Sequence, residues 1–239
     1  SYGARFNRSD SRSTILDYPY DGAFENQSVS GYYNGKVLGE IWGYECAGIA
    51  NSKDQMNQWL ESNRPNWGSN WQAGDVMYRD GKLTAGSSTL KDHGDLKVIG
   101  NSNPRYRFGL NLNAGWKGID FSVFFQGVMK MDYLFGSDQA YFWGAQGNMW
   151  QSAVFAEHLD YWRDENSYGA ERFGVNTNAY YPRPYFGGIN KNHQAMDRYV
   201  QDASYIRCKN MQLGYSLPRN IIGKIGMTNC RIYVSCDNL

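Results

Sequence analysis

From Tyr106 to Trp116 the side chains alternate in character. Phe108, Leu110, Leu112, Ala114 and Trp116 fall on one face; Arg107, Gly109, Asn111, Asn113 and Gly115 fall on the other. Period-two alternation predicts a strand with one apolar and one polar face. After Lys117-Gly118 the pattern restarts, with Ile119, Phe121, Val123 and Phe125 set against Asp120, Ser122, Phe124 and Gln126. Two such runs joined by a two-residue, glycine-containing turn predict a β-hairpin. Near the C-terminus Cys230, Ile232, Val234 and Cys236 alternate with Arg231, Tyr233, Ser235 and Asp237. A further strand is expected from about Tyr205 to Leu217. Its apolar phase moves from even positions (Ile206, Cys208) to odd ones (Met211, Leu213, Tyr215). A one-residue slip at Lys209-Asn210 predicts a β-bulge. A weaker strand is expected at Tyr2–Arg8. Another is expected between Gly35 and Ala50, where glycines at 35, 39, 43 and 48 suggest bends.

The connections are as informative as the strands. One is two residues and another runs from Pro218 to Thr228, whereas two span roughly 51–104 and 130–203. Loops of that length inside a compact domain need structure and a task of their own. Short helices are expected within them. Ser52-Lys53-Asp54-Gln55 begins a capping-box-like run through Trp59-Leu60. Asn148-Met149-Trp150-Gln151 begins a second run to about Trp162, with Trp150, Val154, Leu159 and Trp162 near helical spacing. Short turns at one end and long loops at the other are the asymmetry of outer-membrane barrels.

Composition narrows the choice. The 24 Lys and Arg nearly match the 23 Asp and Glu, so a net charge of +1 gives no electrostatic grip on nucleic acid. Aromatics make up 16% of the chain, with 19 Tyr and 8 Trp, yet mean hydropathy is −0.65. Tyr and Trp reconcile the two, because each has an apolar body and a polar tip suited to half-wet surfaces. No run approaches the roughly 18 apolar residues of a spanning helix, a limit that does not apply to barrel strands of about 9–11 alternating residues. The opening Ser1-Tyr2-Gly3, without a basic leader, reads as an internal start. Cys46, Cys208, Cys230 and Cys236 have no metal-binding spacing and read as small apolar side chains. Cys230 and Cys236 share a strand face but lie about 20 Å apart at strand rise, too far to bridge.

Several stretches carry a family resemblance. They include Gly35-Lys36-Val37-Leu38-Gly39-Glu40-Ile41-Trp42-Gly43-Tyr44-Glu45 and Gly74-Asp75-Val76-Met77-Tyr78-Arg79-Asp80. Asp92-His93-Gly94-Asp95-Leu96-Lys97 through Pro104-Arg105-Tyr106, the Trp116-Lys117-Gly118 turn and Phe124-Phe125-Gln126-Gly127 follow. Tyr181-Pro182-Arg183-Pro184 and Ala203-Ser204-Tyr205 through Leu217-Pro218 complete the order. Together they resemble the C-terminal region of TonB-dependent outer-membrane transporters of the SusC/RagA type, over roughly residues 35–239. The resemblance implies an all-β fold: an antiparallel transmembrane β-barrel segment, part of a roughly 22-stranded barrel whose plug and other strands are absent here. It implies import of glycans, oligosaccharides or peptides across the outer membrane of a Gram-negative bacterium. It also implies a SusD-like surface lipoprotein as partner and coupling to the TonB complex through the missing plug. Residues 51–104 and 130–203 would then be extracellular loops. Where the family carries an acidic loop, only Asp80-Gly81-Lys82 remains, a thinned oxygen set for a hard cation that wants about six or more; the metal and cofactor expectation is none.

Roles follow from the faces. Phe108, Leu110, Leu112, Phe121, Val123, Phe125, Ile232 and Val234 are expected to face outer-membrane lipid. Arg107, Asn111, Asn113, Gln126, Arg231 and Asp237 are expected to line the lumen, with Trp116 in an interfacial girdle. Among the loop rings, Trp143, Trp150, Trp162, Tyr181 and Phe186 are candidate ligand contacts. The reading favoured for the same rings is that they stabilise the loops and their contact with the lipoprotein partner. Glu157, Asp160 and Asp164 fall at helical spacing but read as a solvated acidic face. His93, His158 and His193 are isolated, and there is no Gly-x-Ser-x-Gly, HExxH or P-loop motif. No enzyme is expected. The competing assignment is a secreted, soluble, β-rich carbohydrate-binding module, whose apolar sheet face would be turned into a core.

Overall fold

A computed structural model describes residues 1–63, 65, 67–79, 88–137, 139–147, 153–185 and 191–239. The strands are β1 (Tyr2–Asp10), β2 (Glu40–Gly43), β3 (Cys46–Ile49), β4 (Val76–Tyr78), β5 (Lys97–Asn101) and β6 (Tyr106–Trp116). They continue with β7 (Ile119–Met129), β8 (Asp132–Leu134), β9 (Val200–Asp202), β10 (Tyr205–Ser216) and β11 (Arg231–Asp237). The helices are α1 (Lys53–Ser62), α2 (Ala140–Trp143), α3 (Ala170–Phe173) and α4 (Arg219–Ile222). The chain forms two compact units.

The first unit comprises Ser1–Ser13, Asn103–Asp132 and Asp202–Leu239. It is an antiparallel sheet ordered β1-β6-β7-β10-β11, so each strand lies beside its predecessor in the wall. The β6–β7 ladder is unbroken from Trp116 opposite Ile119 to Tyr106 opposite Met129. At its turn Lys117 and Gly118 both have positive φ, 48° and 87°. That is the backbone a tight two-residue hairpin demands, and glycine enters it without strain. The expected slip in β10 is present, as the register with β7 shifts between Cys208 and Asn210. At mid-strand, Gly127 gives Phe108 room to lie flat, since a Cβ there would sit 2.5 Å from its ring. The sheet is open, with β1 and β11 at its edges. Both long excursions leave from one end of it, and the Lys117-Gly118 turn and α4 lie at the other.

The second unit comprises Thr14–Ser102 and Tyr133–Gln201. Here the expectation for residues 35–50 needs correcting. They form β2 and β3, which pair with β5 and β4 inside this unit, and add no strand to the wall. The glycines account for the break: Gly35, Gly39 and Gly48 all have positive φ, so the chain turns where a wall strand would run straight. The first excursion therefore starts near Thr14 rather than at 51.

Helix α1 forms as its cap predicts. The Gln55 amide donates to Ser52 Oγ at 3.1 Å, and the Asn51 amide donates to Gln55 Oε1 at 2.7 Å. Met56 is its one fully buried side chain, packed with Ala50 and Met77. The longer helix expected up to Trp162 does not form. Its described part holds only a single 3₁₀ turn, Ala156–Leu159, so Glu157, Asp160 and Asp164 share no helical face. The main core gathers Tyr44, Val76, Tyr78, Phe142, Trp143, Tyr181, Met196 and Tyr199 from both excursions.

Candidate functional site

Cross-strand register sorts the wall residues into two sets. Phe6, Leu110, Phe125 and Cys208 form one row, and Ala4, Leu112, Val123, Met211 and Cys236 the next. Phe108, Phe121, Ile232 and Val234 share their face by the same registers. Part of the face is bare, while Val123 at its centre is buried at 6% exposure and Phe108, Leu110, Leu112, Phe121 and Phe125 are half-buried. Phe6, Leu213, Ile232 and Val234 are 62%, 55%, 62% and 67% exposed, more apolar surface than a finished domain leaves in water.

The opposite face is polar and internally bonded. Arg5, Asn111, Phe124, Asn210 and Asp237 make one of its rows. Arg107, Asn113, Gln126 and Arg231 lie on the same side by register. Asn210 donates to Asp237 at 2.7 Å. Arg231 reaches across β10 to Asp120 on β7 through two hydrogen bonds, passing over Gly214. Sequence reasoning placed Arg231 on this face but missed its partner. The bare position at Gly214, between strands that carry Asp120 and Arg231, was the available signal.

The candidate ligand rings are placed differently from one another. Trp143, Trp162 and Tyr181 are 3%, 0% and 7% exposed, with their faces occupied by protein. Trp143 stacks on His193 at 3.8 Å between centroids and donates from Nε1 to the Gly136 carbonyl. Tyr181 packs edge-on against Phe142, Trp143 and Tyr180, and desolvation pushes its hydroxyl up to about 12. Trp162 donates to Asn51 Oδ1 at 3.3 Å. Trp150, Phe186 and Asp80-Gly81-Lys82 lie outside the described residues.

A buried charge network, which sequence reasoning missed, ties the two excursions together. Asp75 and Lys191, 0% and 3% exposed at the side chain, pair at 2.8 Å. The second Asp75 oxygen accepts from Asn192 Nδ2 at 3.0 Å, and Asn192 Oδ1 accepts from the Val76 amide at 3.0 Å. The Gln72 amide donates to Asp75, and Lys191 Nζ also donates to the Asn70 carbonyl. Lys191 lies over the Tyr185 ring at 4.2 Å, and the Tyr185 hydroxyl accepts from Gln72 Nε2. Desolvation pushes the Tyr185 hydroxyl above its ordinary range. A buried pair is tolerable only when its remaining donors and acceptors are met, as they are here.

Beside this network the surface opens into a cleft of about 530 Å³. The first excursion contributes Asn51–Lys53 and Asn70–Ala73; the second contributes Asp164 and Arg183. Its walls are set from behind, since the Asn70 carbonyl and Gln72 amide are both bonded to the buried pair. Arg183 is held by a bond to the Ala73 carbonyl at 3.3 Å, and Asp164 accepts from Ser167 Oγ at 2.6 Å. Among the described residues no group of three or more His, Cys, Asp or Glu is placed to hold a metal ion.

Two curated relatives align with the chain. TonB-dependent receptor P3 of Formosa agariphila is 26% identical over 254 residues, covering all of this chain and 22% of that protein. TonB-dependent receptor P26 of the same organism is 28% identical over 170 residues, covering 67% of this chain and 16% of its own length. The chain thus spans about a fifth of the length of the curated relatives it matches. No family model matches it. Among solved structures, the RagAB peptide transporter superposes with a TM-score of 0.63 at 18% identity, covering all of this chain and 23% of that one. The RagAB peptide importer in its open-open state gives 0.59 at 18%, over 100% of this chain and 22% of the other. The fold is that of a partial barrel wall with its loops, and the chain is similar over its whole length to part of a TonB-dependent receptor.

Two outcomes follow for the loop body. Asp75→Ala leaves Lys191 charged and buried without its partner, which costs about 3–5 kcal/mol. In the folded protein it should speed tryptic cleavage within residues 14–102 and 133–201; an unchanged rate would show that the pair is not what locks them. Burial also lowers His193 to about 4 from its ordinary 6.5. The unfolded segment then takes up a proton near 6.5 and the folded one only near 4, so stability falls as pH drops through that window. Amide protection factors around Trp143, with the slower intrinsic exchange at low pH divided out, should fall between pH 7 and pH 4.5 in the native protein and respond less in His193→Gln. Equal responses would remove His193 as the cause.

Proposed function

We propose that the chain serves energy-coupled nutrient import across the outer membrane of a Gram-negative bacterium, since it is similar over its whole length to TonB-dependent receptors. In this role the first unit is a stretch of barrel wall. Phe108, Leu110, Leu112, Phe121, Val123, Phe125, Ile232 and Val234 meet lipid, and Arg107, Asn111, Asn113, Gln126, Arg231 and Asp237 meet the water-filled interior. The second unit is the extracellular body built from the long loops. The one observation that carries the proposal is the open, two-faced meander, whose long excursions leave from a single end. A soluble carbohydrate-binding module would have to bury the apolar face, on which Phe6, Leu213, Ile232 and Val234 stand exposed.

The import role brings further partners. A plug would couple the barrel to the TonB complex, and a SusD-like surface lipoprotein would meet the loops from outside. The substrate class is an oligosaccharide or a peptide; the RagAB neighbours are titled peptide importers, at an identity that speaks for fold alone. The buried Trp143, Trp162 and Tyr181 serve as scaffold in this role, and substrate meets the polar surfaces around them. The chain takes no catalytic part.

Uptake tests the proposal directly. Cells carrying the full receptor should accumulate at least one member of a labelled panel of oligosaccharides and peptides. Accumulation should stop when the receptor is deleted and when TonB is deleted. Uptake that survives either deletion for every compound would contradict the role.

A further inference from the structure

The cleft between the two excursions has a chemistry that selects among ligands. Most of its lining residues are polar, with side-chain amides from Asn51, Asn70 and Gln72, two cations (Lys53 and Arg183) and one carboxylate (Asp164). Two of the amides are partly engaged, since Asn51 Oδ1 accepts from Trp162 Nε1 and Gln72 Nε2 donates to the Tyr185 hydroxyl. The carboxylate is already engaged by Ser167 Oγ, and Arg183 commits one N–H to the Ala73 carbonyl. The Lys53 ammonium has no partner among the described residues. The cleft therefore presents a surplus of positive charge and a set of planar hydrogen-bonding groups. Trp71 adds an indole at its wall, backed by Trp59 at 5.5 Å.

Peptide-binding grooves rely on a free strand edge for a main-chain ladder, or on apolar pockets for alternate side chains. Among the described residues this cleft has neither: no strand borders it, and Ala73 and Trp71 are its only apolar lining. Amides and guanidinium groups instead match the paired hydroxyls of a sugar ring, with donors and acceptors in fixed planes. We propose that this cleft is a binding subsite for a short oligosaccharide bearing an anionic group, a carboxylate or a sulfate. Lys53 and Arg183 receive the anion, and Asn51, Asn70 and Gln72 receive the hydroxyls. The buried Asp75–Lys191 pair acts as a positioning element, because it fixes the Asn70 carbonyl and the Gln72 amide behind the cleft wall. The proposal rests on the import role but concerns which ligand is taken and where.

The test uses the full receptor in detergent and titration calorimetry with three probes. These are a tetrasaccharide of uronic acids, its sulfated neutral counterpart, and a neutral tetrasaccharide; a tetrapeptide serves as the competing class. At least one anionic sugar should bind more tightly than the neutral one, and its affinity should fall as salt screens the contact. Lys53→Gln should weaken it about tenfold, the size of one charge-assisted contact, while Lys53→Arg, which keeps the charge, should retain it. Near-native circular dichroism and thermal melting of both variants would show that folding is not the cause. Three results would overturn the subsite: neither anionic sugar binding, the neutral sugar or the peptide binding equally well, or anionic binding that ignores Lys53. TonB-dependent uptake persisting alongside any of them would leave the import role standing, so the two failures are distinguishable.

Discussion

A β-sheet satisfies its backbone only through its neighbours, so its edges and its apolar face set the terms for everything else. In water, a strand edge offers a row of unpaired N–H and C=O groups to any passing chain; in hydrocarbon, those groups have no partner at all. The five-stranded wall has two such edges, at β1 and β11, and an apolar face on which Phe6, Leu213, Ile232 and Val234 stand in the open. Strands continued on either side and a lipid annulus remove both costs at once. A soluble fold would have to cover the same face with a second layer. The opposite face makes the complementary case: Arg231 and Asp120 pair across Gly214, Asn210 bonds Asp237, and Arg107, Asn111, Asn113 and Gln126 stand exposed.

The loop body solves a different problem. Two excursions separated by the hairpin and its neighbours must fold as one unit without a continuous sheet to guide them. A core of rings supplies most of the apolar burial, and such packing is tolerant of small displacements. The Asp75–Lys191–Asn192 network is not, because each of its atoms has a specific partner on the other excursion. That network also fixes the back wall of the polar cleft, which joins the integrity of the loops to whatever the cleft holds.

How much of this was legible in the sequence depended on periodicity. Strands β6 and β7 could be read residue by residue, since alternation with a period of two leaves little freedom in which side chain faces which way. The bulge in β10 was legible for the same reason: apolar residues can change from even to odd positions and stay on one face only if the strand holds an extra residue at Lys209-Asn210. The segment from Gly35 to Ala50 misled because its apolar residues suit a strand, while its glycines direct the chain into two short ones. The core of the loop body had no period to read. Trp143 and Trp162 carry the same residue-level signal whether they bind a ligand or fill an interior, and only burial separates the two. The Asp75–Lys191 pair was beyond reach, because its members are 116 residues apart and each looks like an ordinary surface charge.

The proposed import role sets the two faces of the wall in two different media, and site-directed fluorescence measures that directly. Single cysteines at Leu110, Leu112 and Val234, and at Asn111, Asn113 and Gln126, would carry an environment-sensitive dye in the full receptor reconstituted in lipid. Nitroxide-labelled acyl chains should quench the first three strongly, and aqueous iodide should quench the second three. Alternation of quencher between Leu110 and Asn111, adjacent on one strand, is the predicted result. Quenching of both sets by iodide alone would contradict a membrane-spanning wall.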